Sequence, residues 1–589
     1  MRWSLNELYS SFDSKEYSAD FEKLNKLIED FIKWADENLL SKDNPVAKME
    51  NYIVLSREIR SLFSKLFSYA SLTTSVEAKN EVALQYYDKL SVKYSDLTKP
   101  NVQFQSFMKD IDDLDVLIDS SELLKEHKFY LQQVKEHTKY MLSEKEEVLI
   151  SKMSNTGSSA WTNLQNKISS TLLVDITIDG EKKSLPLPAV RNLAYDKDPA
   201  KRKAAYEAEL EAYAKIEESS AAALNGIKGE VLTTSALRGF SSPLEETLVN
   251  SRMDKETLDA MFTAMKEFLP VFHKYYRKKA ELLGHKNGLP FYEMFAPMGE
   301  VNMTFTYPEA MTYIVDNFRT FSDKLADFVQ NAYDKNWLDV EPREGKRGGA
   351  FCSNLHPIKE SRIMSNFDGS FSNMTTLAHE LGHGYHGFNL KDESILNSGY
   401  PMPIAETASI FCETIVVNAA LKEASDAERL SILESSISDA GQVIVDIYSR
   451  FLFETELFER RKTHGLSVNE FKEIMMDAQR QAYGDGLDHS ALHPYMWVNK
   501  THYYSAGRNF YNFPYAFGLL FSKGLYAEYL KRGDKFVQEY DELLNATGKN
   551  NIKDVALRMD IDVRNPEFFR NSLRLIEKDI EEFIKLSSK

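Results

Sequence analysis

The sequence predicts a mainly α-helical protein with one small β-sheet. Three observations carry that reading. Glycine and proline are scarce, 25 and 17 in 589 residues, so the chain has few obligatory breaks. Lys, Glu, Leu and Ala, all good helix formers, dominate the composition. Apolar residues also recur three and four apart over long segments, as Phe21, Leu24, Leu27, Ile28, Phe31 and Ile32 do.

A hydrophobic content of 43% supports a large core, and the length alone suggests two to four domains. The charge balance, 72 − 89 = −17, disfavours nucleic acid and anionic membranes as partners. Cys352 and Cys412 permit one bridge at most and lack any Cys–Cys metal spacing. Met1 to Glu7 contain no apolar signal core, and no run approaches 18 uninterrupted apolar residues. The expectation is a cytoplasmic protein, monomeric and free of membrane contacts.

Residues 1 to about 150 are charged, helix-period segments; Val46–Tyr69 and Ser75–Tyr94 are further cases, and none carries a chemical motif. Val174, Ile176 and Ile178 then alternate with polar residues before Asp179-Gly180, which predicts a short hairpin. Leu185-Pro186-Leu187-Pro188 ends regular structure, so the expected division is a helical domain over 1–188 and a second domain over 189–589. Helical patterning resumes from Ala189 to about Leu283, with Arg191, Arg202 and Arg252 expected in solvent. Gly345 to Gly349 is a flexible loop without P-loop spacing. Gly349–Ser353 and Ser361–Phe367 are expected strands, leading through Asp368-Gly369 into the next helix. A strand there could pair with an extended peptide backbone, or simply support the helix.

That helix, Phe371 to Leu390, contains His379-Glu380-Leu381-Gly382-His383. Met374, Leu377, Ala378, Leu381, Tyr385 and Phe388 form one apolar stripe, and the histidines lie off it. Gly369, Ser370 and Ser372 supply breaker and cap chemistry. Residues i and i+4 share a helix face, so His379 and His383 can ligate one metal ion. Zinc in catalytic sites takes three protein ligands and a water, and Glu380 is placed to accept the proton of that water. His386 lies about 10 Å along the axis from His379 and is expected to line the site rather than to ligate.

A third ligand is expected from downstream. Pro403 suits a first helical position, and Ala405, Ala408, Cys412, Ile415 and Ala419 give the helix an apolar side. Glu406 and Glu413 stand two turns apart on the other side. A carboxylate in so apolar a segment needs a partner. A crossing of the two helices would bring Glu406 to the zinc and let Glu413 accept a histidine N–H.

The run Thr376 to His386, with Ala405-Glu406-Thr407-Ala408-Ser409 and the aromatic stretch from His502-Tyr503-Tyr504 to Tyr511-Asn512-Phe513-Pro514-Tyr515-Ala516-Phe517-Gly518, resembles the oligoendopeptidase F branch of the thimet-oligopeptidase family. Trp3-Ser4-Leu5 with Leu8-Tyr9 resembles its opening. Asn373 departs from the acidic residue expected there in many relatives, which bears on the partner of a ligand histidine. The resemblance implies a two-lobed helical zincin-type metallopeptidase, its lobes enclosing a deep channel with one Zn2+ per chain at the floor. It implies short unstructured peptides as substrates. Glu380 would act as general base, and His502, Tyr504 and Tyr511 would donate to the oxyanion, with Tyr515 in reserve. Tyr504, Tyr511 and Tyr515 are spaced for one helix face, though core packing explains aromatic residues equally well. Two alternatives remain: a dipeptidyl carboxypeptidase of the same fold, needing a cation for the substrate carboxylate, and a non-catalytic peptide-binding protein with inert zinc.

Overall fold

Small polar caps set where the helices begin. Helix α1 (Lys15–Asn38) starts where the Ser14 side chain accepts a hydrogen bond from the Tyr17 amide, and it buries Tyr17, Leu24, Ile28, Phe31 and Ala35 along one face. Helix α2 (Pro45–Val76) starts with proline at its first position. The computed structural model describes residues 1–299, 301 and 303–588, and it is mainly helical with two small sheets.

The hairpin of β1 (Leu173–Ile178) and β2 (Glu181–Pro186) forms as the alternation predicts. Asp179 and Gly180 both adopt positive φ, 53° and 80°, the pairing that closes a tight two-residue hairpin. Helices α3 (Glu217–Arg238) and α4 (Lys255–Leu282) follow. A three-stranded sheet then has the order β3-β5-β4, from β3 (Leu338–Asp339), β4 (Phe351–Leu355) and β5 (Glu360–Met364). β4 and β5 are the two expected strands, the first shifted two residues along the chain and the second shortened; the parallel strand β3 is too brief to give a periodic signal. Beyond them come α5 (Phe371–Leu390), α6 (Thr407–Glu423), α7 (Asp426–Gly441), α8 (Ile447–Arg461), α9 (Phe513–Arg532) and α10 (Pro566–Leu586). A π-turn, Gln442–Asp446, joins α7 to α8.

Three apolar clusters hold these elements. One joins Leu24 and Phe31 of α1 to Tyr52 and Leu66 of α2, and reaches Leu355 and Leu396 near α5. A second packs Val174 and Ile176 of the hairpin on Leu224 and Ile227 of α3, Phe453 of α8, and Trp497, Tyr503 and Tyr504. The largest holds the α5 stripe, Met374, Leu377, Ala378, Leu381 and Tyr385, against Ala408, Phe411 and Cys412 of α6 and Phe517 and Phe521 of α9. By length and composition Met402–Glu423 is apolar enough to cross a membrane. Here that apolarity fills the space between α5 and α9. Arg202, expected in solvent, is 3% exposed and hydrogen-bonds Glu293 at 2.7 Å, because its helix turns inward onto a buried carboxylate.

Candidate metal and peptidase site

Ser370 caps α5 by accepting from the Asn373 amide, as its position predicts. Four residues apart on this helix, His379 and His383 place their rings 5.0 Å apart between centroids. Across from them, Gly382 lets α6 come very close. A Cβ at Gly382 would lie 2.6 Å from the Ala408 carbonyl and from Ser409 Cα, so only glycine allows this approach.

That proximity delivers Glu406. Its Oε2 lies 3.2 Å from His379 Nε2 and 3.4 Å from His383 Nε2, and it accepts from Ser409 Oγ at 2.8 Å. One donor atom from each of His379, His383 and Glu406 falls within 4.8 Å of the others. The sequence placed Glu406 inside a helix begun by Pro403. Instead Met402–Ile404 is a 3-10 turn, and Glu406 is the cap residue just before α6, its backbone outside the helical region.

The other nitrogen of His379, Nδ1, lies 3.0 Å from Glu413 Oε2. Glu413 is thus the carboxylate partner of the ring, while Asn373 Oδ1 accepts from the Asp368 amide. Burial disfavours a charged His379, yet hydrogen bonds to Glu406 and Glu413 outweigh it and raise the ring to about 10. Burial also acts against an ionised Glu406, and its histidine partners nevertheless hold it well below the usual carboxylate range. A site that holds positive charge this firmly accepts a divalent cation in exchange for its protons, and two imidazoles with one carboxylate are a donor set that zinc favours.

Glu380 points away from solvent and is 8% exposed. Burial pushes its carboxyl up, with His383 and His379 pulling against the shift, and the Cys352 amide of β4 donates to it. His386 does not line the site as expected. It is fully buried, stacked on Tyr400 at 4.0 Å, and its Nε2 contacts Thr547 Oγ1 at 2.9 Å. Burial pushes it down to about 3, so it is a neutral core histidine.

The aromatic segment is divided by its backbone. Thr501–Tyr504 is a 3-10 turn and α9 begins only at Phe513, so Tyr504 and Tyr511 do not share a helix face. Tyr504 is 1% exposed, in the cluster with Trp497 and Phe453, which corrects the expectation that it faces the reaction centre. His502 stays near Tyr511, their ring centroids 5.7 Å apart. Burial, then Arg450 and Lys500, push His502 down to about 3. The Tyr511 hydroxyl meets that of Tyr515 at 3.0 Å, and Tyr515 lines a cavity shared with His379 and Glu406. The signal for Tyr515 was Gly518 one turn later: a Cβ there would lie 3.1 Å from Glu406 Cβ, so this turn of α9 packs directly on the carboxylate.

A helical chain that unites an H-E-x-x-H pair with a glutamate on a crossing segment defines a helical metallopeptidase. The sequence matches Peptidase family M3 over residues 192–575 and Oligopeptidase F over 110–172. The chain belongs to peptidase family M3 and is a metallo-oligopeptidase. It is 22% identical to oligopeptidase PepF of Bacillus subtilis, over 100% of this chain and 87% of the relative. It is 24% identical to the chromosomal oligoendopeptidase F of Lactococcus lactis subsp. cremoris, over 70% and 68%. Its fold matches a protein of Chlamydophila abortus assigned as a peptidase, with TM-score 0.85 and 19% identity over 99% and 98% of the chains. It also matches oligoendopeptidase-F of Enterococcus faecium, with TM-score 0.70 and 18% identity over 96% and 98%.

Proposed function

We propose that the protein is a zinc-dependent oligoendopeptidase that hydrolyses internal bonds of short, unstructured peptides. The convergence of His379, His383 and Glu406 within 4.8 Å, beside a buried Glu380, carries this reading. Those three residues would hold one zinc ion, which when bound supplies Lewis acidity and brings the pKa of a water toward about 7. Glu380 accepts the proton of the attacking water and delivers it to the leaving amine. The amide donated by Cys352 fixes the Glu380 carboxylate in place. Tyr515, with Tyr511 bonded to it and His502 beside Tyr511, donates to the oxyanion of the tetrahedral intermediate. This reading moves the principal donor from Tyr511 to Tyr515, which lines the cavity with the metal donors.

The proposal extends to a monomer acting in the cytoplasm, with the site residues all in the 189–589 part of the chain. One observation supports a second reading: Arg508 is exposed and lies 5.4 Å from the centre of the Tyr511 ring, a cation that could hold a terminal carboxylate in a dipeptidyl carboxypeptidase. Digestion of an internally quenched peptide with an amidated C-terminus decides. Zinc-dependent cleavage supports the endopeptidase; cleavage of the free-acid peptide alone overturns it. Absence of any cleavage by the zinc-loaded protein overturns the peptidase mechanism itself.

A further inference from the structure

We propose that the cavity beside the metal donors binds the side chain of a lysine or arginine in the substrate, next to the bond that is cut. This inference rests on the peptidase reading above and adds a substrate preference to it. The cavity has a volume of about 350 Å³, and His379, Glu406 and Tyr515 form part of its wall. That is near the lower end of the roughly 300–1,000 Å³ seen for ligand pockets, room for one side chain rather than a length of peptide.

Its lining matches a long cationic side chain. Ile410 and Val417 of α6, Ile437 of α7 and Leu519 of α9 present aliphatic walls suited to methylene groups. With Glu406, the side chains of Glu413, Asp439 and Asp579 bring four carboxylates, against one ammonium from Lys523. Glu413 is engaged by His379. Asp439 and Asp579 form no ion pair among the described residues. Although Asp439 is exposed to solvent, the protein packed around its carboxyl, and then the nearby carboxylates Glu413 and Glu434, push it up to about 6. Burial also raises Asp579, with Lys523 and Lys578 pulling against it. A guanidinium or ammonium entering this cavity meets a surplus of carboxylates, whereas an acidic side chain meets repulsion and a neutral one gains no charge contact.

The test uses the full-length, zinc-loaded enzyme and quenched peptides that differ at one position, carrying Arg, Lys, norleucine or Glu. Each is made with a free and with an acetylated N-terminus. The expected result is a kcat/KM about tenfold or more higher for Arg and Lys than for norleucine, the scale of one contact between charges, with Glu lowest. The preference should persist after acetylation, and the Arg-to-norleucine ratio should fall toward one in Asp439→Asn/Asp579→Asn. Because each ratio is read on one preparation, partial misfolding of the variant does not mimic this result. Equal kcat/KM across the series overturns the inference, as does a preference unchanged in the variant. A preference that vanishes on acetylation assigns the cavity to a terminal ammonium and also overturns it. Failure to cut any of the peptides overturns the peptidase reading, a separate outcome.

Discussion

His379 Nδ1 meets Glu413 Oε2 at 3.0 Å, two turns of α6 beyond the carboxylate that faces its other nitrogen. The ring is therefore oriented with Nε2 toward His383 and Glu406. Replacing Glu413 with alanine should leave the donors present and the ring free to rotate. Metal affinity is expected to fall about 10–100-fold, the usual effect of losing such a partner. Competition with a chelator measures it, and an unchanged affinity would remove Glu413 from the site.

Glu380→Gln separates metal binding from chemistry. The amide keeps the shape of the side chain and removes the base. Metal content should match that of the parent while kcat falls about 10²–10⁴-fold. Near-normal turnover of the variant would sink the general-base assignment.

The two bonded tyrosines predict unequal effects. Tyr515→Phe should lower kcat by roughly 10²–10³-fold with little change in KM, the effect of deleting an oxyanion donor. Tyr511→Phe should cost less than about tenfold, because that hydroxyl acts through its neighbour. Steady-state kinetics with melting temperatures on both variants check this. The reverse order would return the donor role to Tyr511, and a stability loss without a kinetic one would make the pair structural.

A metal held by two residues of α5 and one at the head of α6 would fasten those helices together. Chelation should then lower the melting temperature: ligand at 100 times its Kd contributes about 2.7 kcal/mol. Gly382→Ala tests the same contact from the opposite side, because its Cβ would strike the α6 backbone. It should cost about 1–3 kcal/mol or more and weaken metal retention. A variant as stable and as metal-rich as the parent would show that the two helices can separate at no cost.

The sequence made His379, Glu380 and His383 legible because helical spacing alone puts both imidazoles on one face. Glu406 and Glu413 were readable as carboxylates in an apolar segment that needed partners, although the local backbone was not: a 3-10 turn at Pro403 pushed the helix start to Thr407. Tyr504 misled because periodicity assumes a continuous helix, and residues 501–512 are not one. Asp439 and Asp579 left no signal, since acidic residues on amphipathic helices ordinarily face water. Their common cavity exists only because α7 and α10 pack near α6 and α9. The cluster joining the β1–β2 hairpin to Trp497 and Tyr504 was likewise beyond reach, as it unites segments hundreds of residues apart.

The burial of Met402–Glu423 has a consequence in time. Its neighbour α9 begins at Phe513, 90 residues after Glu423 (513 − 423), so during synthesis the apolar segment emerges before the helix that covers it. At about 5–20 residues per second the gap lasts roughly 5–20 s. Through that interval the growing chain carries a stretch resembling a membrane span. A ribosome-stalled chain ending before Phe513 should crosslink to holding chaperones through these residues, and a chain released at full length should not. Equal crosslinking of both would mean that α9 does not shield the segment. Production of this enzyme then depends on what shelters the segment until α9 is made.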